Sequence, residues 1–302
     1  MEFFKNNIGI PFMRQRKWAG ILSIFVFVAS IASLFVYGLN LGLDFSGGTQ
    51  IEASFVHPIN TAVIRKNLLD QGFPRAVVRV YDAHHILVRV ASHKTLTQEQ
   101  IKKKLMQVIL EGTIDSVDYI GPQVNQKSLE YGGLAIIASL ISTAIYIIVR
   151  FDLRFAVGAF VALIHDPILI LGIFSFFHLE FNLVVLAAIL TVIGYSLNDT
   201  IVVFDRIREN LQKDFCRTPM EVVDLSVNQV FSRTMIISGL TLIVVIVLFV
   251  CSENTVLRPF SLALIIGIIT GTYSSIYIAS SLAVITFGFN QRPICPITRI
   301  EE

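Results

Sequence analysis

Six long stretches of this chain are nearly free of charge. Trp18–Leu43, Tyr131–Val149, Thr234–Ser252 and Pro259–Gln291 contain no Asp, Glu, Lys or Arg. Phe155–Phe177 and Phe181–Phe204 are each interrupted by one carboxylate, Asp166 and Asp199. About 20 apolar residues in a helix cross a hydrocarbon core of about 30 Å, so each stretch predicts one membrane span. The spans fall at residues 18–39, 128–149, 155–177, 182–205, 233–252 and 259–287. Residues 1–17, 206–232 and 288–302 remain as polar termini and a polar loop, and residues 40–127 as the one long polar insertion.

That insertion has a different period. Thr49–Phe55 alternates apolar and polar positions as a half-buried strand does. Asn60–Gln71 places Val63, Ile64 and Leu68 on one helical face, with Gly72 as a stop. Val77–Tyr81 and Ile86–Val90 predict a hairpin turning at Asp82–His85. Thr97-Gln-Glu-Gln100 is a capping box for a helix burying Ile101, Leu105 and Val108, and Ile114–Ile120 predicts a last strand. The order β-α-β-β-α-β is that of a small α+β ferredoxin-like domain. His84, His85 and His93 lack partners at ligand spacing, so they are expected to be turn and surface histidines, with no metal. In the 206–232 loop, Thr218, Pro219 and Glu221 signal the start of an amphipathic helix, expected to lie along the membrane face.

Composition agrees with lipid as solvent: 54% of residues are hydrophobic and 15% charged, against about 25% charged in soluble domains. The distribution of charge predicts orientation. Arg150, Arg154, Arg206, Arg208, Lys213, Arg217, Arg292 and Arg299 fall in loops on one side, whereas the opposite short loops carry only Arg258. The positive-inside rule then puts both termini in the cytoplasm and residues 40–127 outside. The first span reads as a retained anchor and not a cleaved leader, because its run is long and no small-residue cleavage pattern follows. A net charge of +2 suggests no nucleic-acid partner, and Cys216, Cys251 and Cys295 form no disulfide framework.

The candidate chemistry lies in the spans. A charged group near a bilayer centre costs about 2.5–3.5 kcal/mol on insertion scales and is seldom idle. Asp199 shares a helical face with Tyr195 in Gly194-Tyr-Ser-Leu-Asn-Asp-Thr-Ile-Val-Val-Phe-Asp-Arg-Ile-Arg-Glu-Asn210. Burial disfavours its charged form unless a cation holds it ionised, and Arg233 at the start of span five is the candidate cation. The two form either a titratable pair or a static ion pair that docks span four on span five. Asp166, between His165 and Pro167, is either a second relay element or a polar knot satisfied by a neighbouring helix. Gly267 and Gly271 have GxxxG spacing, with close helix packing as the plainer reading. No GxSxG, HExxH or P-loop lysine motif occurs, so no enzymatic activity is expected and energy would come from an ion gradient or a partner.

Leu41-Gly-Leu-Asp-Phe-Ser-Gly-Gly-Thr49, the Gly194–Asn210 stretch, Ala162-Leu-Ile-His-Asp166 and Arg233-Thr-Met-Ile-Ile-Ser-Gly239 resemble the SecD/SecF family of bacterial protein export, on its SecF side. The resemblance covers the whole chain. It implies six helices forming half of a fold of the resistance–nodulation–division type, SecD supplying the other half. It further implies an accessory translocase of the bacterial inner membrane, multi-pass in the lipid bilayer. Its partners would be SecD, the SecYEG channel and an unfolded secretory polypeptide. The proton motive force would drive it without a cofactor. By the same likeness, Asp199 and Arg233 match an Asp and an Arg implicated in proton passage; Asp166, Tyr195 and Asn198 join them as relay candidates from their own places in the spans. Asp44, Gly47 and Gly48 would be either a hinge or a rigid entry to the first strand. The alternative is a half-transporter of the same fold exporting lipids or small hydrophobic molecules; a third reading is a scaffold whose acids merely lock helices.

Overall fold

The structure is a computed structural model that describes residues 9–56, 61–73, 76–80, 84–90, 98–108, 112–120, 122–151, 153–213, 217–252 and 257–287. In chain order the elements are α1 (Phe12–Tyr37), β1 (Asn40–Leu41), α2 (Leu43–Ser46), β2 (Gly48–Phe55), α3 (Thr61–Asp70), β3 (Val77–Val80), β4 (His85–Val90), α4 (Gln98–Val108) and β5 (Gly112–Ile120). They continue with α5 (Pro122–Arg150), α6 (Leu153–Phe176), β6 (Glu180–Phe181), α7 (Leu183–Lys213), α8 (Pro219–Cys251), α9 (Leu257–Tyr273), a π-helical segment Ser274–Ala279, and α10 (Ser280–Phe287). The chain divides into two compact units.

The first unit, 1–40, 135–179 and 184–302, holds the apolar helices. Six are long and apolar enough to cross a membrane, α9 through α10 counting as one. This is a multi-pass helical membrane protein. Inner and outer helices separate by burial: 61% of the most apolar window of α6 is buried, against 11% for α5. α7 and the last span are intermediate at 50% and 44%, while α1 and α8 expose most of theirs. Their exposed Trp18, Phe25, Phe35, Leu240, Val244 and Val250 face outward, as lipid requires.

Without a hydrophobic force between helices in lipid, close approach decides the packing. Gly267 lies against Val192 so tightly that a Cβ there would sit 2.7 Å from Val192 Cγ1 and overlap Cγ2. A Cβ on Gly271 would come within 3.0 Å of Ser196 Cβ. The GxxxG spacing therefore joins the last span to α7. Gly172 makes the matching contact on α1, where a side chain would overlap Ser30. An aromatic cluster of Phe151, Phe155 and Phe204 fills the Arg-rich end of α6 and α7, with Val203, Ile207, Val223 and Val227 around it.

α8 differs from expectation. Its start is the capping box read from the sequence: Glu221 N–H donates to Thr218 Oγ1 and Thr218 N–H to Glu221 Oε2. From there the helix runs unbroken for 33 residues, so the stretch expected as a connector on the membrane face is the continuation of span five. Its first turns hold the beginning of α1. Asp224 Oδ1 accepts Met13 N–H at 2.9 Å, and Asn228 bonds both Ile10 N–H and Ile10 C=O. Pro11 offers α1 no side-chain cap, so Asp224 satisfies an N–H that the helix cannot.

The second unit, 41–134 and 180–183, contains the sheet. Its elements follow β-α-β-β-α-β, and the antiparallel strands are ordered β3-β4-β2-β5. The register pairs Ile51 with Val88 and Val117. Ile64 and Leu68 of α3 and Ile101, Leu105 and Val108 of α4 cover Ile51, Ala53, Val78, Ile86, Val88 and Val90, the face set by the period-two alternation. Gly72 ends α3 at φ +88°, a left-handed position that favours glycine. The residues read as the hairpin turn at 82–83, the capping residue Thr97, and His93 lie outside the described residues.

Candidate functional site

Two acids lie inside the helical unit, each held by hydroxyl groups from neighbouring helices. Asp199, on α7, is 3% exposed. Its Oδ2 accepts from Ser238 Oγ of α8 at 3.2 Å. Ser238 in turn accepts from Thr272 Oγ1 of α9 at 2.9 Å, so one hydroxyl links three spans at the acid. Tyr195, one turn earlier on α7, points its hydroxyl at Thr241 Oγ1 (3.3 Å) and Ser238 Oγ (3.5 Å). Tyr195 thus joins the same cluster, as its i, i+4 relation to Asp199 suggests.

Arg233 sits differently from the sequence expectation. It is exposed on α8, and among the described residues no ion pair within 4.0 Å joins it to Asp199. It lies near enough to act on the carboxylate through its charge. The physical reason for the difference is position along α8: Ser238, not Arg233, faces α7 at the level of Asp199. Asn198 is exposed on the outside of α7 and joins neither cluster.

Asp166, on α6, is 1% exposed and fully engaged. Ser196 Oγ of α7 and Ser274 Oγ of the π-helical segment both donate to its Oδ2, at 2.6 and 2.9 Å. His165 Nδ1 lies 3.0 Å from Oδ1. The other ring nitrogen of His165, Nε2, meets Ser23 Oγ of α1 at 2.9 Å, and the ring stacks on Phe27. The serines and threonines were the part missed in the sequence. Ser23, Ser196, Ser238, Thr272 and Ser274 are ordinary small residues of apolar helices, and only the packing reveals which carboxylate each one serves.

The candidate hinge is a tight corner inside the second unit. Gly47 and Gly48 adopt φ +66° and +128°, angles that favour glycine, and bring the chain from α2 into β2. Asp44 Oδ2 accepts the N–H of Leu183, the first residue of α7, at 2.9 Å. Gly42 packs so closely on Asn182 that a Cβ would lie 2.9 Å from that residue's own. Arg89 of β4 pairs with Glu180 of β6 and donates to Gln50 Oε1 at 2.9 Å. Among the described residues no group of three or more His, Cys, Asp or Glu could hold a metal ion.

Residues 100–287 match the family described as protein export membrane protein SecD/SecF, C-terminal. Residues 32–59, around the glycine corner, match the SecD/SecF GG motif. The chain belongs to the SecD/SecF family. The protein translocase subunit SecF of Vibrio alginolyticus is 45% identical, over 98% of this chain and 95% of that protein. The subunit of the same description from Escherichia coli O157:H7 is 40% identical over 90% and 86%. A crystal structure of SecDF, described as a translocon-associated membrane protein, from Thermus thermophilus superposes with a TM-score of 0.86 at 31% identity. The match covers 94% of this chain and 39% of that longer one.

Proposed function

We propose that this chain is a SecF-type subunit of the bacterial protein-export machinery, coupling proton entry to late steps of translocation. Relatives that match nearly its whole length are described as protein translocase subunits SecF. The SecDF chain it resembles is much longer, which supports a SecD partner supplying the remaining helices. The setting is the inner membrane with both termini cytoplasmic, and a ferredoxin-like domain outside, formed by β2 to β5. SecYEG and an emerging unfolded polypeptide are the further partners. No cofactor takes part, and the work done is transport, not catalysis.

The observation that carries the coupling is Asp199, a carboxylate enclosed by three spans whose hydrogen-bond partner is a neutral hydroxyl. When it is ionised, the charge of Arg233 favours contact between α7 and α8; protonation removes that attraction. Alternation between these states repacks α7 against α8 and the last span. Membrane potential contributes about 2.3 kcal/mol per charge per 100 mV, enough to bias a two-state element more than tenfold.

Export of an unfolded secretory protein into inverted membrane vesicles tests this. With the partner subunit co-expressed, Asp199→Asn should abolish the extra export produced by a proton gradient and leave ATP-driven export intact. A variant that keeps the full gradient response would overturn the coupling. Transport of a lipid or small apolar solute, without any effect on polypeptide export, would favour the half-transporter instead.

A further inference from the structure

Asp166 and His165 form a buried pair that the scheme built on Asp199 does not use. Every contact to Asp166 is of the kind a carboxylate makes. Two hydroxyls donate to Oδ2, so that oxygen carries no proton of its own, and the His165 ring edge meets Oδ1, where any proton the pair shares on that side must lie. Hydrogen bonds to an ionised acceptor are the short ones, as the 2.6 Å contact from Ser196 is. A bare negative charge at this depth costs several kcal/mol, and among the described residues no Lys or Arg pairs with it. Among the described residues, His165 is the group placed to neutralise it.

The far side of the ring is built to follow a change of charge. His165 Nε2 meets Ser23 Oγ, and a serine hydroxyl can donate to a bare ring nitrogen or accept from an N–H by turning one bond. The imidazole can therefore gain or lose a proton at Nε2 while Nδ1 keeps its bond to Asp166. Stacking on Phe27 holds the ring plane in either case. The groups facing the pair are Ser23 and Phe27 from α1, Ser196 from α7, with Asp199 three positions along that helix, and Ser274 from the last span, with Tyr273 next in sequence. Tyr273 is committed elsewhere, its hydroxyl donating to Ala19 C=O at 2.6 Å.

We propose that His165–Asp166 is a second proton-binding site, holding one exchangeable proton at His165 Nε2 between α1 and α6, separate from Asp199. This rests on the reading of the chain as proton-driven, but its test does not depend on export. The reaction is H⁺ addition at Nε2, with the imidazolium balanced by the Asp166 carboxylate and Ser23 turning from donor to acceptor.

The experiment is nitrogen NMR of the full chain in lipid nanodiscs with labelled histidine, the His165 signals assigned by their loss in His165→Gln. Across the pH range over which the nanodisc sample stays folded, His165 should pass between the neutral and doubly protonated ring. In Asp166→Asn, which keeps the shape, the ring's proton affinity should fall about tenfold or more, since the balancing charge is gone. In Ser23→Ala the neutral ring should persist as the form carrying its proton on Nδ1. Asp199→Asn should leave the His165 transition in place. A ring that stays in one state throughout the range, or an Asp166→Asn variant that titrates as the parent does, overturns the proposal. So does a transition abolished by Asp199→Asn, which would make one shared site of the two. Failure of the export test alone, with this titration intact, would reject only the coupling through Asp199.

Discussion

Gly267→Ala probes the seam on which both acid clusters depend, because α7 and the last span carry hydroxyls to each of them. The added Cβ would lie 2.7 Å from Val192 Cγ1 and overlap Cγ2, and Val192 is fully buried and stiff about χ1. Overpacking of this kind costs about 1–3 kcal/mol when the surroundings cannot yield. Removing the two methyls in Val192→Ala leaves Val192 Cβ as the nearest atom, 3.0 Å from the new methyl, which a shift of a few tenths of an ångström relieves. The double variant should therefore be more stable than the sum of the single losses predicts, with a coupling of at least about 1 kcal/mol, inside the range seen for touching residues. Gly271→Ala, whose nearest neighbour is Ser196 Cβ at 3.0 Å, should cost less than Gly267→Ala. Gly133→Ala, with nothing within 4 Å, should be neutral or slightly stabilising. Reversible unfolding of the full chain in mixed lipid–detergent micelles, titrated with dodecyl sulfate, reads all of these. A Gly267→Ala variant as stable as the parent, or additive behaviour with Val192→Ala, would refute this close helix spacing.

Further outcomes follow from single contacts. Ser238→Ala removes the donor to Asp199 and should slow gradient-driven export about tenfold, the worth of one hydrogen bond to a charged group; an unchanged rate would remove Ser238 from the site. Asp44→Ala deprives the Leu183 N–H of its acceptor and should cost about 0.5–2 kcal/mol of stability, read by faster hydrogen exchange at the first turn of α7. Arg89→Met removes the cation paired with the mostly buried Glu180 carboxylate and should be less stable to heat than the double variant Arg89→Met with Glu180→Gln; the reverse order would show that Arg89 acts by packing alone. Gly72→Ala forces a methyl into φ +88° and should destabilise the sheet unit by about 1–2 kcal/mol.

What could be read from the sequence was whatever repeats with a period or forbids a charge. Ile51, Ala53, Val88 and Val90 alternate, and Ile64, Leu68, Ile101 and Leu105 recur at helical spacing, so the β-α-β-β-α-β order and its buried face were visible beforehand. The six spans were visible as charge-free runs, but their helical limits were not. Arg233 marks where the lipid-compatible stretch stops, whereas backbone hydrogen bonding in α8 continues back to Pro219, because Asp224 and Asn228 have the start of α1 to hold. The π-helical segment Ser274–Ala279 has no counterpart in any periodicity, although it contributes Ser274 to Asp166. Asp199 and Asp166 stood out because an acid among apolar residues is conspicuous. Their partners did not, since a serine in a span is unremarkable until the facing helix is known. Arg233 was expected as the cation opposite Asp199 from its charge and its place at the start of span five; the hydrogen-bond donor to that acid is Ser238, five residues along the same helix.

The central claim is that Asp199 exchanges a proton when a gradient is applied. Infrared difference spectroscopy of the export complex in sealed vesicles, recorded as a proton gradient is imposed and collapsed, follows the carbonyl stretch of protonated carboxyl groups directly. The account predicts a band that rises and falls with the gradient in the parent and is missing from Asp199→Asn, with the Asp166→Asn spectrum retaining it. A spectrum without a gradient-dependent carboxyl band, or one that Asp199→Asn leaves unchanged, would contradict it.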